Sequence, residues 1–172
     1  MIKSVDKKRV MFTAGFVHKD DAAYIRKMVD ASQRPAAKWL NLIHHVTFRF
    51  RPETIEEIEE VLELRDLAFN PQVLHWNTFE GISALSGSLS ATNHRNPNAL
   101  VASGTPHITL GTSEMVPAKM SGPLIRGEEH PLIPLTHSDS LDLDFSPLSD
   151  PIPLRAGWSD GRNVRFDHPF HG

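Results

Sequence analysis

The feature that most constrains this chain is a short repeat, His45-Val-Thr-Phe48 and His107-Ile-Thr-Leu110. In a β-strand, successive side chains point to opposite faces, so the histidine and threonine of each copy share one face and the two apolar residues share the other. Each copy therefore predicts a strand that buries one face and presents an imidazole beside a hydroxyl. If the two strands face each other across a cleft, that cleft holds the groups needed for acid–base chemistry on a phosphodiester.

Length and charge limit the class of protein. The 172 residues suffice for one domain with a hydrophobic core. The net charge of −3 argues against coating long nucleic acid by bulk charge, and it leaves open a small or terminal phosphate held by local cations. The absence of cysteine excludes disulfides, thiolate nucleophiles and cysteine-ligated zinc. We recognise no signal peptide or membrane-spanning segment, and we expect a cytoplasmic, intracellular protein with no membrane partner.

Local patterns predict a mixture of strands and helices. Arg9 to Val17 is apolar in both alternating registers, which is typical of a central strand buried on both faces. Apolar residues at helical spacing predict one helix after Asp20 or Asp21 and another that opens at Pro52. The second helix has a glutamate-rich face, which we interpret as solvated surface. Further strands are predicted at Gln72 to Asn77, Gly81 to Leu89 and Ala99 to Ala102.

The order of these elements predicts an α+β or α/β sandwich. We place the core in residues 1–127 and a proline-rich C-terminal extension in residues 128–172. Within the extension, Leu132 to Leu135 and Leu141 to Phe145 are expected as edge strands. Beyond Ser146 we expect an irregular tail that lies over the body or is partly disordered.

The two His-x-Thr motifs resemble the paired signatures of the 2H phosphoesterase superfamily. The context from His107 to Glu114, followed by Val116-Pro-Ala-Lys-Met-Ser121, is most similar to the 2′,3′-cyclic phosphodiesterase domain that ends fungal-type tRNA ligases. The resemblance covers about Val10 to Leu124. It departs at Phe48, where an aliphatic residue is usual, in the polar loop of residues 91–98, and after Gly127.

This resemblance implies a fold and a mechanism. The fold is α+β and bilobal, with two antiparallel sheets forming a cleft and helices on the outside. One neutral histidine takes a proton from the attacking water or hydroxyl, and the other, protonated, gives one to the leaving ribose oxygen. By analogy, His107 acts at the 3′-oxygen and His45 is its counterpart, with the acid and base roles left open. Thr47 and Thr109 donate hydrogen bonds to the non-bridging phosphate oxygens, and no metal or other cofactor is needed.

An arginine near the first motif is the expected additional phosphate contact. In simple alternation Arg49 shares the face of His45 and Thr47, and Arg51 follows a few residues later, as in the tRNA-ligase domain. A plain surface arginine is the alternative for both. His44 is expected on the opposite face from His45 as a structural histidine. A zinc site built from His44, His45 and His107 is a further alternative, which the divergence of adjacent strand residues disfavours.

Three functions follow. The first is an enzyme that opens an RNA 2′,3′-cyclic phosphate to a 2′-phosphate, alone or beside separate kinase and ligase proteins. The second is a 2H phosphodiesterase that cleaves small cyclic or 2′-5′ linked oligonucleotide signals. The third is an inactive 2H-like protein that binds nucleotides or protein. The expected partner is accordingly RNA with a cyclic phosphate end or a small cyclic nucleotide.

Overall fold

The structure of the protein, a computed structural model, describes residues 10–31, 42–78, 81–142 and 151–169. Its helices and strands are β1 Phe12–Val17, α1 Lys19–Ala31, β2 His45–Phe50, α2 Ile55–Leu62, β3 Ala68–Asn77, β4 Ile82–Ser90, β5 His107–Thr112, α3 Ser121–Arg126, β6 Ser138–Asp142, β7 Ile152–Ser159 and β8 Val164–Arg165. Within these ranges no helix is long and apolar enough to cross a membrane.

Six of the strands form a closed antiparallel barrel. The strand order is β6-β3-β4-β5-β2-β1-β7-β8, and an additional pairing between β3 and β7 closes the sheet into the barrel. This closure runs through two residue pairs, Ala68 with Pro153 and Phe69 with Ile152. β6 and β8 lie outside the barrel, paired with β3 and β7 respectively.

The predicted bilobal fold of two antiparallel sheets is therefore wrong. A single sheet closes on itself instead, and the described helices are short and few beside the strands. The physical cause is β7, which pairs with β1 from Phe12–Ser159 to Val17–Leu154 and also reaches β3. The irregular tail expected beyond Ser146 is thus replaced, at Ile152–Ser159, by a strand in the middle of the sheet.

Alternation along the strands fills the barrel with apolar side chains. The main core consists of buried residues from several strands and from α1 and α2, including Val46, Phe69, Leu85, Ile108 and Ile25. Gly15 of β1 lies against this core, because a Cβ there would approach Leu154 to 2.9 Å. The other face of β1 carries Phe12 and Phe16, whose rings pack against His45 of the site described below.

The helices begin and end where local chemistry favours it. Thr54 caps α2, since its hydroxyl accepts a hydrogen bond from the backbone of Glu57 at 3.2 Å. The helix then buries Ile58 and Val61, as its apolar spacing predicted. α1 spans Lys19–Ala31 and buries Ile25 and Val29, which confirms the predicted helix.

At other places the structure differs from the local predictions. The strand expected at Ala99 to Ala102 is replaced by a 3-10 helix at Pro97–Leu100, where Asn98 bonds both the N–H and the carbonyl of Leu89. Pro71 lies inside β3, at a register shift between Pro71 and Val73 that accommodates a residue without a backbone N–H. The edge strand predicted at Leu141 to Phe145 is found at Ser138–Asp142, and residues 143–145 lie outside the described part.

Candidate active site

The two His-x-Thr motifs lie on neighbouring strands. β2 and β5 are antiparallel and pair through Val46 and Ile108, the central apolar residues of the two motifs, which are both fully buried. Because side chains alternate, the imidazole and hydroxyl of each motif point away from the barrel core. His45, Thr47, His107 and Thr109 all line one cleft of about 690 Å³.

This arrangement differs in one respect from the cleft imagined from the sequence. The motif strands do not face each other across a gap between two lobes; they lie side by side in one sheet and present their polar side chains on the same surface. The antiparallel pairing puts the histidine of one motif nearer the threonine of the other. The cleft thus brings together two imidazoles and two hydroxyls, while their catalytic roles stay a prediction.

Both motifs carry a β-bulge at the same position. On β2 the pairing with β1 passes from Thr47 to Arg49 and skips Phe48. On β5 the pairing with β4 passes from Thr109 to Gly111 and skips Leu110. A bulge places one extra residue on one strand and shifts the alternation of side chains by one. The sequence repeat is therefore also a repeat of backbone irregularity.

The bulge decides where the predicted arginines lie. After Phe48 the alternation is reversed, so Phe50 rather than Arg49 continues along the wall of the cleft. Arg49 lies near α2, with Nη1 3.7 Å from Oε1 of Glu57, and it does not line the cleft. Arg51 is exposed just beyond β2 in a left-handed conformation with φ of 48°, and it also lies off the cleft wall. A phosphate contact by either arginine stays a prediction without support from this geometry.

His45 is enclosed by aromatic rings and a second histidine. The ring of Phe12 stacks on it at 4.9 Å between centroids, and Nδ1 of His44 lies 2.9 Å from its Nδ1. Burial, followed by the charges that His44 and His107 carry when protonated, lowers the pKa of His45 from 6.5 to about 4. The expectation that His44 faces away is wrong: β2 begins only at His45, so alternation does not extend back to His44, which lines the cleft.

The ring of His107 is oriented by the backbone carbonyl of Thr105. Its Nδ1 lies 2.8 Å from the carbonyl oxygen of Thr105, and because a carbonyl can only accept, Nδ1 carries the hydrogen. In the neutral ring, Nε2 then keeps a lone pair. Burial lowers the pKa of His107; the bond to Thr105 opposes this effect, and the charge of Arg126 adds to it.

Thr109 has a buried hydroxyl partner. Its Oγ1 lies 2.7 Å from Oγ of Ser121, the first residue of α3, which is 1% exposed. When Ser121 donates this bond, the hydrogen of Thr109 is left to point into the cleft. Ser121 belongs to the run that resembles the tRNA-ligase domain, yet nothing in that run indicates its contact with Thr109.

Three more side chains near the motifs escaped the sequence analysis. Lys119 and Arg126 line the cleft from the segment that follows β5. His75 of β3 lies two strands from His107, and its Nε2 is 2.9 Å from Oγ of Ser86, the residue paired with His107. Burial and the nearby His107 lower the pKa of His75. Lys119 belongs to the run of residues 116–121 that resembles the tRNA-ligase domain, but no local pattern indicates that these three residues lie near the motifs. Their positions depend on how the segment after β5 packs and how the sheet folds.

The site chemistry rests on imidazoles, hydroxyls and two cations. In the described part of the chain, no group of three or more His, Cys, Asp or Glu side chains is arranged to hold a metal ion.

No family model matches the sequence, and no curated protein matches it significantly. The resemblance of the two His-x-Thr motifs to those of 2H phosphoesterases therefore stays a prediction from the residues.

Proposed function

We propose that this cleft is the active site of a metal-independent phosphodiesterase that opens a 2′,3′-cyclic phosphate at an RNA end and leaves a 2′-phosphate. The observation that carries the proposal is the convergence of both His-x-Thr motifs on one cleft of about 690 Å³. Two titratable groups held close together beside hydroxyl donors supply an acid, a base and a site for negative charge. Phosphodiester hydrolysis requires these three functions.

His45 is the general base in this proposal. Its pKa of about 4 keeps the imidazole neutral at neutral pH, so it can accept a proton from water. When its Nδ1 donates to Nδ1 of His44, Nε2 keeps the lone pair. The water oxygen then bonds to phosphorus as its proton passes to His45.

His107 is the general acid. The carbonyl of Thr105 accepts from Nδ1 in both protonation states and stabilises the imidazolium. The negative charge of the bound phosphate raises the pKa of this imidazole and provides the proton needed for catalysis. As the bond between phosphorus and the 3′-oxygen breaks, His107 protonates that oxygen, and the phosphate stays on the 2′-oxygen.

The threonines hold the phosphate during this exchange. Thr47 and Thr109 donate to its non-bridging oxygens, where negative charge stays throughout the reaction. The bond between Thr109 and Ser121 orients one of these donors before substrate arrives. Such preorganisation lowers the barrier because the hydroxyl does not have to reorient during the reaction.

The test is hydrolysis of a nucleoside 2′,3′-cyclic phosphate in the presence of EDTA. We expect turnover that resists the chelator, a 2′-phosphate product, and losses of about 10²- to 10⁴-fold in His45→Ala and His107→Ala. His94→Ala is the matched control, since His94 lies in the loop after β4 and does not line the cleft. Turnover that needs a metal, or a folded wild type inactive on this substrate, contradicts the proposal.

A second candidate is cleavage of cyclic or 2′-5′ linked oligonucleotides by the same histidines. The size of the cleft leaves room for such a substrate, since about 690 Å³ lies in the upper half of the range of about 300–1,000 Å³ found for pockets that bind small molecules. Supplying such oligonucleotides to the wild type alongside the nucleoside cyclic phosphate, and comparing kcat/KM, separates the two substrates.

A further inference from the structure

Two cations form one rim of the cleft. Lys119 lies in the 3-10 helix Ala118–Met120, and Arg126 is the last residue of α3. Both line the cleft and neither lies on a motif strand. Arg126 is close enough to His107 for its charge to favour the neutral imidazole, which locates this rim on the His107 side.

The guanidinium of Arg126 is held in a defined orientation. Its Nε and Nη2 lie 2.6 Å and 3.3 Å from the two carboxylate oxygens of Glu128. This fork uses two of the five N–H groups of arginine, so the Nη1 edge keeps its donors. Nη1 lies over Gly122, since a Cβ built there would be 3.0 Å away, and Gly122 itself lines the cleft.

The opposite wall of the cleft is aromatic. Phe50 is 59% exposed and stacks on Phe12 at 6.0 Å, and Phe12 in turn stacks on His45. The cleft therefore has an aromatic wall beside His45, the histidines and threonines in the middle, and a cationic rim beside His107. A substrate that uses all three regions carries a base, a reacting phosphate and a further negative charge.

The further charge is distinct from the reacting phosphate. The motif threonines already supply donors to the reacting phosphate from the half-buried middle of the site. The side chain of Arg126 is 40% exposed at the cleft rim, so it is accessible to a charged group that approaches from solvent. Arginine and lysine at such a position are typical phosphate ligands, and arginine offers two parallel N–H groups.

We infer that Lys119 and Arg126 bind a second phosphate, the internal phosphodiester next to the reacting end, and that the enzyme acts on oligonucleotides in preference to mononucleotides. This inference rests on the proposed function and names its substrate class. Glu128 is a positioning residue, since it fixes the guanidinium and does not itself face a phosphate.

The experiment compares two substrates with the same reacting end. One is a nucleoside 2′,3′-cyclic phosphate, and the other is a dinucleotide with a 5′-hydroxyl, one internal phosphodiester and the same cyclic phosphate. We expect a higher kcat/KM for the dinucleotide, with this preference falling about tenfold to hundredfold in Arg126→Gln and in Lys119→Gln. The matched control is Arg162→Gln, the same charge change at an exposed residue of the β7–β8 turn that does not line the cleft.

The outcomes separate this inference from the proposed function. Equal losses on both substrates in Arg126→Gln would mean that Arg126 contacts the reacting phosphate, and no loss on either would mean that the rim binds nothing; both results overturn the inference while leaving the phosphodiesterase intact. If neither substrate is hydrolysed, the proposed function fails. In that case the wild type and Arg126→Gln are titrated with a dinucleotide 3′-phosphate, which tests the second phosphate site by binding alone. Equal affinities of the two proteins overturn the inference.

Discussion

Acid is expected to destabilise the folded protein through His45. In the unfolded chain this imidazole takes up a proton at its ordinary pKa of 6.5, whereas in the folded protein burial beside His44 and His107 lowers the pKa to about 4. Between these values the unfolded state binds more protons than the folded state, so stability falls as the pH falls. Above pH 6.5 both states are neutral at this site, and the contribution is fully present.

The size of the effect follows from the two pKa values. Each pH unit in the window is worth about 1.4 kcal/mol, so His45 removes about 2–3 kcal/mol of unfolding free energy between about pH 7.5 and pH 4.5. This is a large share of the about 5–15 kcal/mol typical of a domain. His107 and His75 act in the same direction, because the pKa of each is also lowered.

Urea denaturation of wild type and His45→Gln at both pH values isolates this contribution. Carboxylates also titrate in the range, but they do so in both proteins, so the difference between the two pH dependences reports His45. We expect the variant to lose about 2–3 kcal/mol less than the wild type on acidification, whatever its stability at neutral pH. Equal losses in the two proteins would refute the claim that His45 is buried in its neutral form.

Three further predictions concern the site and its support. Ser121→Ala should lower kcat about tenfold with little change in KM, because Thr109 loses the partner that orients its hydroxyl. Thr54→Ala should lower the unfolding free energy by about 1 kcal/mol in urea titrations, since α2 loses its N-cap. Inorganic phosphate should bind with uptake of protons near neutral pH, seen by calorimetry in buffers of different ionisation enthalpy, because the anion raises the pKa of an imidazole in the cleft.

Each of these has a control. Ser83→Ala is matched to Ser121→Ala, since Ser83 is also buried and its hydroxyl has no hydrogen-bond partner among the described residues. An equal loss of kcat in both serine variants would indicate a packing effect. A Thr54→Ala protein as stable as wild type would mean that water replaces the cap, and phosphate binding without proton uptake would mean that the imidazoles stay neutral in the complex.

The sequence predicted the directions of the motif side chains more accurately than the positions of the residues around them. Alternation correctly placed His45 with Thr47 and His107 with Thr109, because each strand is regular from the histidine to the threonine of its motif. It failed one step further, at Arg49, since a bulge depends on how β1 pairs with β2 and leaves no mark in the spacing of apolar residues. Lys119 and Arg126 were missed for a related reason, because their positions depend on where α3 packs.

The fold was mispredicted for a non-local reason. Each central strand could be recognised from its own residues, but the difference between two sheets and one closed barrel rests on the contact of Phe69 with Ile152, far apart in the chain. The prolines around β7 pointed to irregular chain, yet Pro153 lies at the start of the strand, where a missing N–H is tolerated. Proline frequency alone does not reveal that position.

Closure by β7 has a consequence for biosynthesis. A chain that emerges from the ribosome presents β1 long before residues 152–159 are made, and the edge of β1 that later pairs with β7 then has a row of unpaired backbone groups. Such edges readily pair with other chains, so partly synthesised protein is prone to association until the closing strand arrives. The rate of production of folded protein should then depend on how quickly translation passes this last barrel strand.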